Sequence, residues 1–331
     1  VTSTAPIGVL LMAYGTPETP DQVEAYFTHI RGGRVPSPES VAHLQHRYEL
    51  VGGKTPLLAI TEATREALER QLNEAPDTTY RVYAGMKHWH PYIADVLARM
   101  AADGIREFVA IALAPHYSRI SIGGYRRAVE EGAAALGNPF TSITMVESWY
   151  LQPEYLDLMA EHIRVAREQF TPEERERILT VFSAHSLPER IRTWDDPYES
   201  QLLATSAAVG ERLGLRDWRF AWQSAGNTGE PWIGPDILDY LETLHAEGIT
   251  TVLQVPIGFV AEHLEILFDI DYEAKNKAQE LGMHLERTAM PNSTPGFIRT
   301  LAAIVAANDP REEVPAERPF VVALQPALAG R

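Results

Sequence analysis

The sequence predicts an α/β fold: two similar Rossmann-like lobes, each a parallel β-sheet flanked by helices, with the active site in the cleft between them. Three observations carry that prediction. Short unbroken apolar runs alternate with longer segments of helical period, and such alternation builds parallel sheets covered by helices. The two halves echo each other: Ile7-Gly-Val-Leu-Leu-Met-Ala-Tyr-Gly-Thr-Pro17 opens the first and Ile178-Leu-Thr-Val-Phe-Ser-Ala-His-Ser-Leu-Pro188 the second. The length, 331 residues, exceeds the ~250–300 at which single cores stop growing.

In order, strands are expected at Ile7–Tyr14, Arg81–Met86, Phe108–Ala114, Thr141–Val146, Ile178–Phe182, Trp218–Gln223 and Thr251–Pro256, each a short apolar run. Helical periodicity places helices at Pro20–Ile30, Pro38–Leu50, Ile60–Asn73, Tyr92–Asp103, Gly124–Leu136, Pro153–Phe170, Pro197–Leu213, Asp236–Glu247 and Ala261–Gly282. A second echo, Gly104–His116 against Gly248–Gly258, has a helix ending at Gly, then a strand, then Pro near its tip. The lobes are assigned to 1–150 and 151–308. A Pro-, Glu- and Arg-rich tail follows at 309–331, and the helix near 295–308 is expected to pack back on the first lobe.

Composition narrows function. Asp plus Glu number 45 against 29 Lys plus Arg, a net charge of −16, which excludes a basic nucleic-acid face and a polybasic membrane anchor. There is no Cys, hence no disulfide, thiolate zinc site, cysteine nucleophile or iron–sulfur cluster. No run reaches the ~18 apolar residues of a membrane span, and Val1–Ala5 carries no basic n-region. A cytoplasmic protein without stable membrane insertion is expected. GxxxxGK[ST], GxGxxG after a strand, GxSxG and HExxH are all absent. The His43/His46 pair, beside Arg47, reads as surface.

In open α/β sheets, ligands bind outside the carboxyl ends of the strands. Four such tips matter: Ala13–Thr16, Ala114–Tyr117, Ser183–Ser186 and Pro256–Phe259. His185 stands among small neighbours at one of them. If Ala261 onward is helical at ~100° per residue, Glu262, Glu265, Asp269 and Glu273 share one arc. Like charges at i,i+4 destabilise a helix, and Gly258–Ala274 contains no Lys or Arg to offset them. A row of carboxylates beside an imidazole suits Fe²⁺, Mg²⁺ or Mn²⁺ in transit.

The motifs Met12-Ala-Tyr-Gly-Thr-Pro17, Ser183-Ala-His-Ser-Leu-Pro188, Trp222–Pro235 and Pro256-Ile-Gly-Phe-Val-Ala-Glu-His-Leu-Glu-Ile-Leu-Phe-Asp269 resemble the ferrochelatase family, collinearly from about Ile7 to Asn308. Thr28–Arg31, Arg47–Glu49, Gly85–His88 and Val146–Tyr150 look like its soluble, monomeric Gram-positive branch, which inserts iron into coproporphyrin III. The resemblance implies chelatase-type lobes and a lyase of haem biosynthesis that takes Fe²⁺ as substrate. It implies His185 and Glu265 as catalytic and iron-binding, and Tyr14 as axial to the product iron. Arg31, Arg47, Tyr48, Thr55 and Tyr125 fall at porphyrin-contacting positions. Asp269 and Glu273 fall at an outer cation site or path, where Mg²⁺ is a candidate. No tightly bound cofactor is expected, and neighbouring haem-pathway enzymes are the candidate transient partners.

The chemistry fits these residue types. Metallation exchanges two pyrrole protons for one Fe²⁺. Neutral His185 can ligate metal or accept a proton near pH 7, Glu265 can bind the cation or take the second proton, and either can play either part. Coproporphyrin carries four propionates, so Arg31, Arg47 and Lys87 are candidates to screen them, and Trp232, Tyr125 and Phe259 could wall the ring. Protoporphyrin IX is the alternative substrate. A cobalt or nickel tetrapyrrole chelatase, or a non-catalytic haem or metal carrier, are the remaining readings.

Overall fold

The computed structural model describes residues 6–74, 79–226, 228–311 and 321–324. Two sheets form. The first has order β2-β1-β3-β4-β9, with β1 Ile7–Ala13, β2 Tyr80–Met86, β3 Glu107–Ala112, β4 Ser142–Val146 and β9 Val321–Leu324. The second has order β6-β5-β7-β8, with β5 Leu179–His185, β6 Trp218–Gln223, β7 Thr251–Val255 and β8 His284–Arg287. All pairings are parallel except β4 with β9. β1 is buried along its whole length, as a strand with helices over both faces must be.

In the first half, helices α1 Val23–Ile30, α2 Pro38–Leu50, α3 Leu57–Leu72, α4 Ile93–Ala102 and α5 Ile122–Ala135 connect the strands. The second half supplies α6 Pro153–Arg167, α7 Pro172–Arg175, α8 Tyr198–Leu213, α9 Ile237–Ala246, α10 Leu264–Leu267, α11 Lys275–Glu280 and α12 Pro295–Ala307. Pro at the start of α2, α6 and α12 sacrifices an N–H that has no partner in the first turn anyway. α12 packs against α6 and, in the first half, α3. One apolar core runs through both halves, joining Val9 and Val109 to Phe182, Val255 and Phe297. Across it, buried Tyr155 donates to the carbonyl of Ile257 at 2.8 Å.

Beyond the short helix α7, three elements differ from expectation. β8 was not anticipated, because His284-Leu-Glu-Arg287 buries only Leu285 and offers no apolar run. Part of the segment expected to be a tail, Val321–Leu324, is the antiparallel edge strand beside β4. The rest of that expected tail, 312–320 and 325–331, lies outside the described residues. The long helix expected over Ala261–Gly282 is broken. Ala261–His263 are not helical, α10 is a single turn, and Asp269–Ala274 form a π-helical turn before α11. Such π segments concentrate at functional sites.

Gly258 shows how closely β7's tip approaches β5. A Cβ there would lie 2.7 Å from Ala184 Cβ and 3.3 Å from Ala184 Cα, directly before His185. Gly258→Ala is expected to lower stability by about 1–3 kcal/mol, the range for overpacking. Denaturant melts check this, and an unchanged midpoint would show that the strands can part.

Candidate active site

β5 ends on His185, whose neighbours Ala184 and Ser186 are fully buried. The imidazole Nδ1–H donates to the carbonyl of Ser186. That bond keeps the ring proton on Nδ1 and turns Nε2 outward. Nε2 faces Glu265 Oε1 at 3.4 Å. Glu265 lies in the first turn of α10, and its second oxygen, Oε2, is 3.6 Å from His263 Nε2. Tyr198 donates to the carbonyl of His185 at 3.1 Å, fixing the strand end. Trp232 stands with its ring centroid 6.2 Å from the imidazole.

The pair is electrostatically coupled. Desolvation alone would lower the pKa of His185, but the Glu265 carboxylate, the Ser186 carbonyl and Asp269 outweigh it and raise it to about 9. Burial pushes Glu265 upward, yet His185 and then His263 hold it well below the usual carboxylate range. At neutral pH the resting pair is therefore imidazolium and carboxylate. Both side chains are still partly open to solvent, 30% and 31% exposed. Two donors do not fill a metal's coordination sphere, and among the described residues no group of three His, Asp or Glu side chains is arranged to hold an ion. A metal here has to complete its shell from a ligand or water, which suits transit rather than storage.

Tyr14, just past the end of β1, lies near enough to feel the charge of Glu265. The residue is 43% exposed, yet its phenol is raised far above its ordinary value, by desolvation first and then by the charge of Glu265. The imidazole of His88 lies against it, with ring centroids 4.6 Å apart. Around it the wall is more buried than the sequence suggested. Tyr48 and Thr55, both expected at the porphyrin, are buried and bond to Thr16 at 2.9 and 3.1 Å. Tyr125 is buried beneath Lys87 Nζ, 5.1 Å from its ring centroid. Arg31 is exposed, its guanidinium 5.6 Å from the Phe27 ring.

The predicted carboxylate stripe is rearranged. With its first residues outside any helix and a π turn further on, the chain cannot keep 100° per residue. Glu262 instead makes a two-bond pair with Arg287, at 3.1 and 3.0 Å, which also holds Asp271. Asp269 is buried; its Oδ1 accepts from Arg47 and its Oδ2 from Ser224. The cations missing from the local sequence come from distant segments. Desolvation raises Asp269 to about 6, with Arg47 opposing and Glu265 adding to the shift. Arg47 also stacks on Phe268 at 4.3 Å. A cavity of about 240 Å³ opens beside these groups, lined among others by Glu265, Asp269, Glu273 and Asp236. Desolvation raises Glu273 there.

The family model described as Ferrochelatase matches residues 6–309. The chain belongs to the ferrochelatase family. The ferrochelatase of Herpetosiphon aurantiacus is 50% identical over 302 residues, covering 91% of this chain and 98% of that protein. The coproporphyrin III ferrochelatase of Geobacillus thermodenitrificans is 44% identical over 301 residues, 90% of this chain and 95% of its own length. That of Bacillus subtilis is 43% identical, covering 90% and 96%. The solved structure of SirB from Bacillus subtilis with Fe³⁺ has the same fold, with a TM-score of 0.59 at 12% identity over 92% of this chain and 96% of that one. Among the described residues, no helix is long and apolar enough to cross a membrane.

In this ferrochelatase, sequence reasoning missed Gln223, Ser224, His263 and Tyr198. The first two sit at the carboxyl end of β6, inside the motif Trp222–Pro235, and two polar residues at a buried strand's tip were the available signal. Ser224 adopts a left-handed backbone, φ 61°, as its Oγ bonds Asp269. Only a few per cent of non-glycine residues adopt that conformation. The tip at Ala114–Tyr117 contributes differently. His116 is buried, its Nε2 2.8 Å from Thr205 Oγ1, and desolvation lowers it to about 3. It joins the two halves.

Proposed function

We propose that this chain inserts Fe²⁺ into coproporphyrin III, giving iron coproporphyrin and two protons for haem biosynthesis. The observation that carries the chemistry is the His185–Glu265 pair, with Tyr14 near enough for the charge of Glu265 to act on its phenol. The second half supplies a nitrogen and an oxygen donor, and the first half supplies a phenol. Exchange of two pyrrole protons for one divalent ion conserves charge, so the site needs a proton sink as well as metal donors. Glu265, the deprotonated member of the resting pair, can bind the ion or take a proton, and His185 becomes a metal donor or proton acceptor once it has given up its own proton. Tyr14 offers an oxygen axial to the iron of the product. Names carried by relatives at 43% and 44% identity over nine tenths of the chain support the substrate.

A tetracarboxylate also suits the cations near the first-lobe strand tips. A Cβ at Gly124 would collide with Lys87 Nζ and lie 3.8 Å from an Arg127 nitrogen, so glycine lets two cations share one small space. Desolvation, then Arg127, lowers Lys87 to about 8. A propionate between them would relieve the repulsion. Arg31, exposed just past α1, is a further candidate for a propionate. In the outer cavity, Glu273 would hold Mg²⁺, with Asp269 joining only once Arg47 releases it. The chain acts as a cytoplasmic monomer that makes at most transient contacts with neighbouring haem-pathway enzymes.

The test is anaerobic absorbance spectroscopy with Fe²⁺ and either coproporphyrin III or protoporphyrin IX. The free-base bands of coproporphyrin are expected to convert faster. Faster conversion of protoporphyrin would overturn the substrate, and unchanged bands with both would overturn the activity.

A further inference from the structure

Four groups close a ring around the metal-facing pair. His185 Nδ1–H donates to the Ser186 carbonyl. The Ser186 N–H donates to the carbonyl of Gln223 at 2.7 Å. The Gln223 side-chain Nε2–H donates to the carbonyl of Glu265 at 3.0 Å. Glu265 Oε1 then returns to His185 Nε2 at 3.4 Å. Gln223 is the one residue of the four whose main chain reaches the histidine's side of the ring while its side chain reaches the glutamate's. β6 carries it directly opposite His185 in register.

The amide of Gln223 is itself held. Ser183 Oγ–H donates to Gln223 Oε1 at 2.9 Å, and Gln254 Nε2–H donates to Ser183 Oγ at 3.0 Å. Gln254, Ser183 and Gln223 lie on the adjacent strands β7, β5 and β6 and are all fully buried. Every donor points the same way, toward Glu265. The far end is costly: Gln254 Oε1 is buried without a hydrogen-bond partner. Apolar side chains of similar shape would avoid that cost, so packing alone does not account for the row. An amide whose Oε1 is fixed cannot flip, and its N–H stays on the Glu265 carbonyl.

We infer that Gln223 is a positioning residue that sets the separation of His185 and Glu265, with Ser183 and Gln254 holding its amide in orientation. The inference rests on the reading of that pair as the iron-handling site. It extends to how the site is kept pre-formed while no metal is present, since the brace joins backbone to backbone and needs no ion. Outer partners of metal donors typically change metal affinity or activity by about 10–100-fold when removed.

The experiment compares Gln223→Met and Ser183→Ala with the native chain. Co²⁺ affinity is measured by calorimetry, porphyrin affinity by fluorescence quenching, and KM separately for iron and for porphyrin. Gln223→Met is expected to weaken Co²⁺ binding by about 10–100-fold and to raise the KM for iron, leaving porphyrin affinity unchanged. Ser183→Ala should move the same readouts in the same direction by less. Native-like Co²⁺ affinity in folded Gln223→Met overturns the proposal, as does an equal loss of metal and porphyrin binding. If Gln223→Met does not fold, Ser183→Ala decides by the same split. His185→Ala and Glu265→Gln run alongside. If they keep native Co²⁺ binding, the iron-site reading fails, whereas their loss beside an unaffected Gln223→Met removes only the brace.

Discussion

Glu265→Gln is expected to slow metal insertion by on the order of 10²–10⁴-fold, the scale of a lost acid–base group, while porphyrin still binds. Glutamine keeps the shape of the side chain and removes its charge. Two consequences follow from the geometry. The oxygen 3.4 Å from His185 Nε2 no longer attracts a cation. His185 also loses the carboxylate that outweighs its desolvation, so the imidazole pKa falls from about 9 toward and below its ordinary value. The resting site changes from a charge pair to two neutral groups. His185→Ala should be comparably damaging, because it removes the nitrogen donor and leaves the carboxylate to climb under its own burial. Single-turnover absorbance with Fe²⁺ gives the rate and fluorescence quenching gives porphyrin affinity. A Glu265→Gln chain that inserts iron at the native rate would remove Glu265 from the chemistry. One that loses porphyrin binding in parallel would make it a structural residue.

The second large effect concerns pH. With His185 raised to about 9, its imidazole is protonated at neutral pH, and a metal must displace that proton. Co²⁺ affinity is therefore expected to rise with pH until it levels off above about 9, with about one proton released per ion bound at pH 7. The metal-free protein runs the other way. A group whose pKa is raised on folding stabilises the fold fully below its unfolded value, ordinarily 6.5, and that contribution is lost as pH rises through about 9. The depressed Glu265 contributes above its unfolded value and loses its contribution as pH falls. The melting temperature of the metal-free protein should thus decline across pH 6.5–9, a loss softened by solvent reaching the pair, whereas metal binding strengthens over that window. In Glu265→Gln both trends should shift to lower pH. Calorimetry in buffers of different ionisation enthalpy reads the released proton directly. Affinity flat from pH 6 to 9 would mean that His185 is already neutral.

Local chemistry made much of the site legible. His185 and Tyr14 are polar rings at the ends of apolar strands, where ligands gather, and the resemblance of their motifs supplied the roles expected of them. Glu265 was found by the acids around it, although the reasoning about their spacing did not survive folding. The stripe Glu262–Glu273 assumed one continuous helix and no nearby cation. In the fold, the segment enters without helix and passes through a π turn, while Arg287 and Arg47, distant in sequence, neutralise Glu262 and Asp269. Such compensation leaves no trace in a local window. Thr55 and Tyr48 show the same limit from the other side: the motif places them at the porphyrin, but their hydroxyls close on Thr16 inside the wall.

The resemblance of their motifs assigned roles to His185 and Glu265; periodicity and composition, by themselves, determined the α/β class, the parallel strands and the absence of thiol chemistry. These depend on the order of apolar and polar residues along a few turns of chain, which sequence records directly. Tertiary structure alone decided the edge strands β8 and β9, the pairing of Arg47 with Asp269, the protonation of His185 and the brace through Gln223. Each depends on groups far apart in sequence meeting in a low-dielectric interior. There, a 3 Å approach decides whether a charge is paired, a proton retained or an amide held, and the linear pattern does not encode that distance.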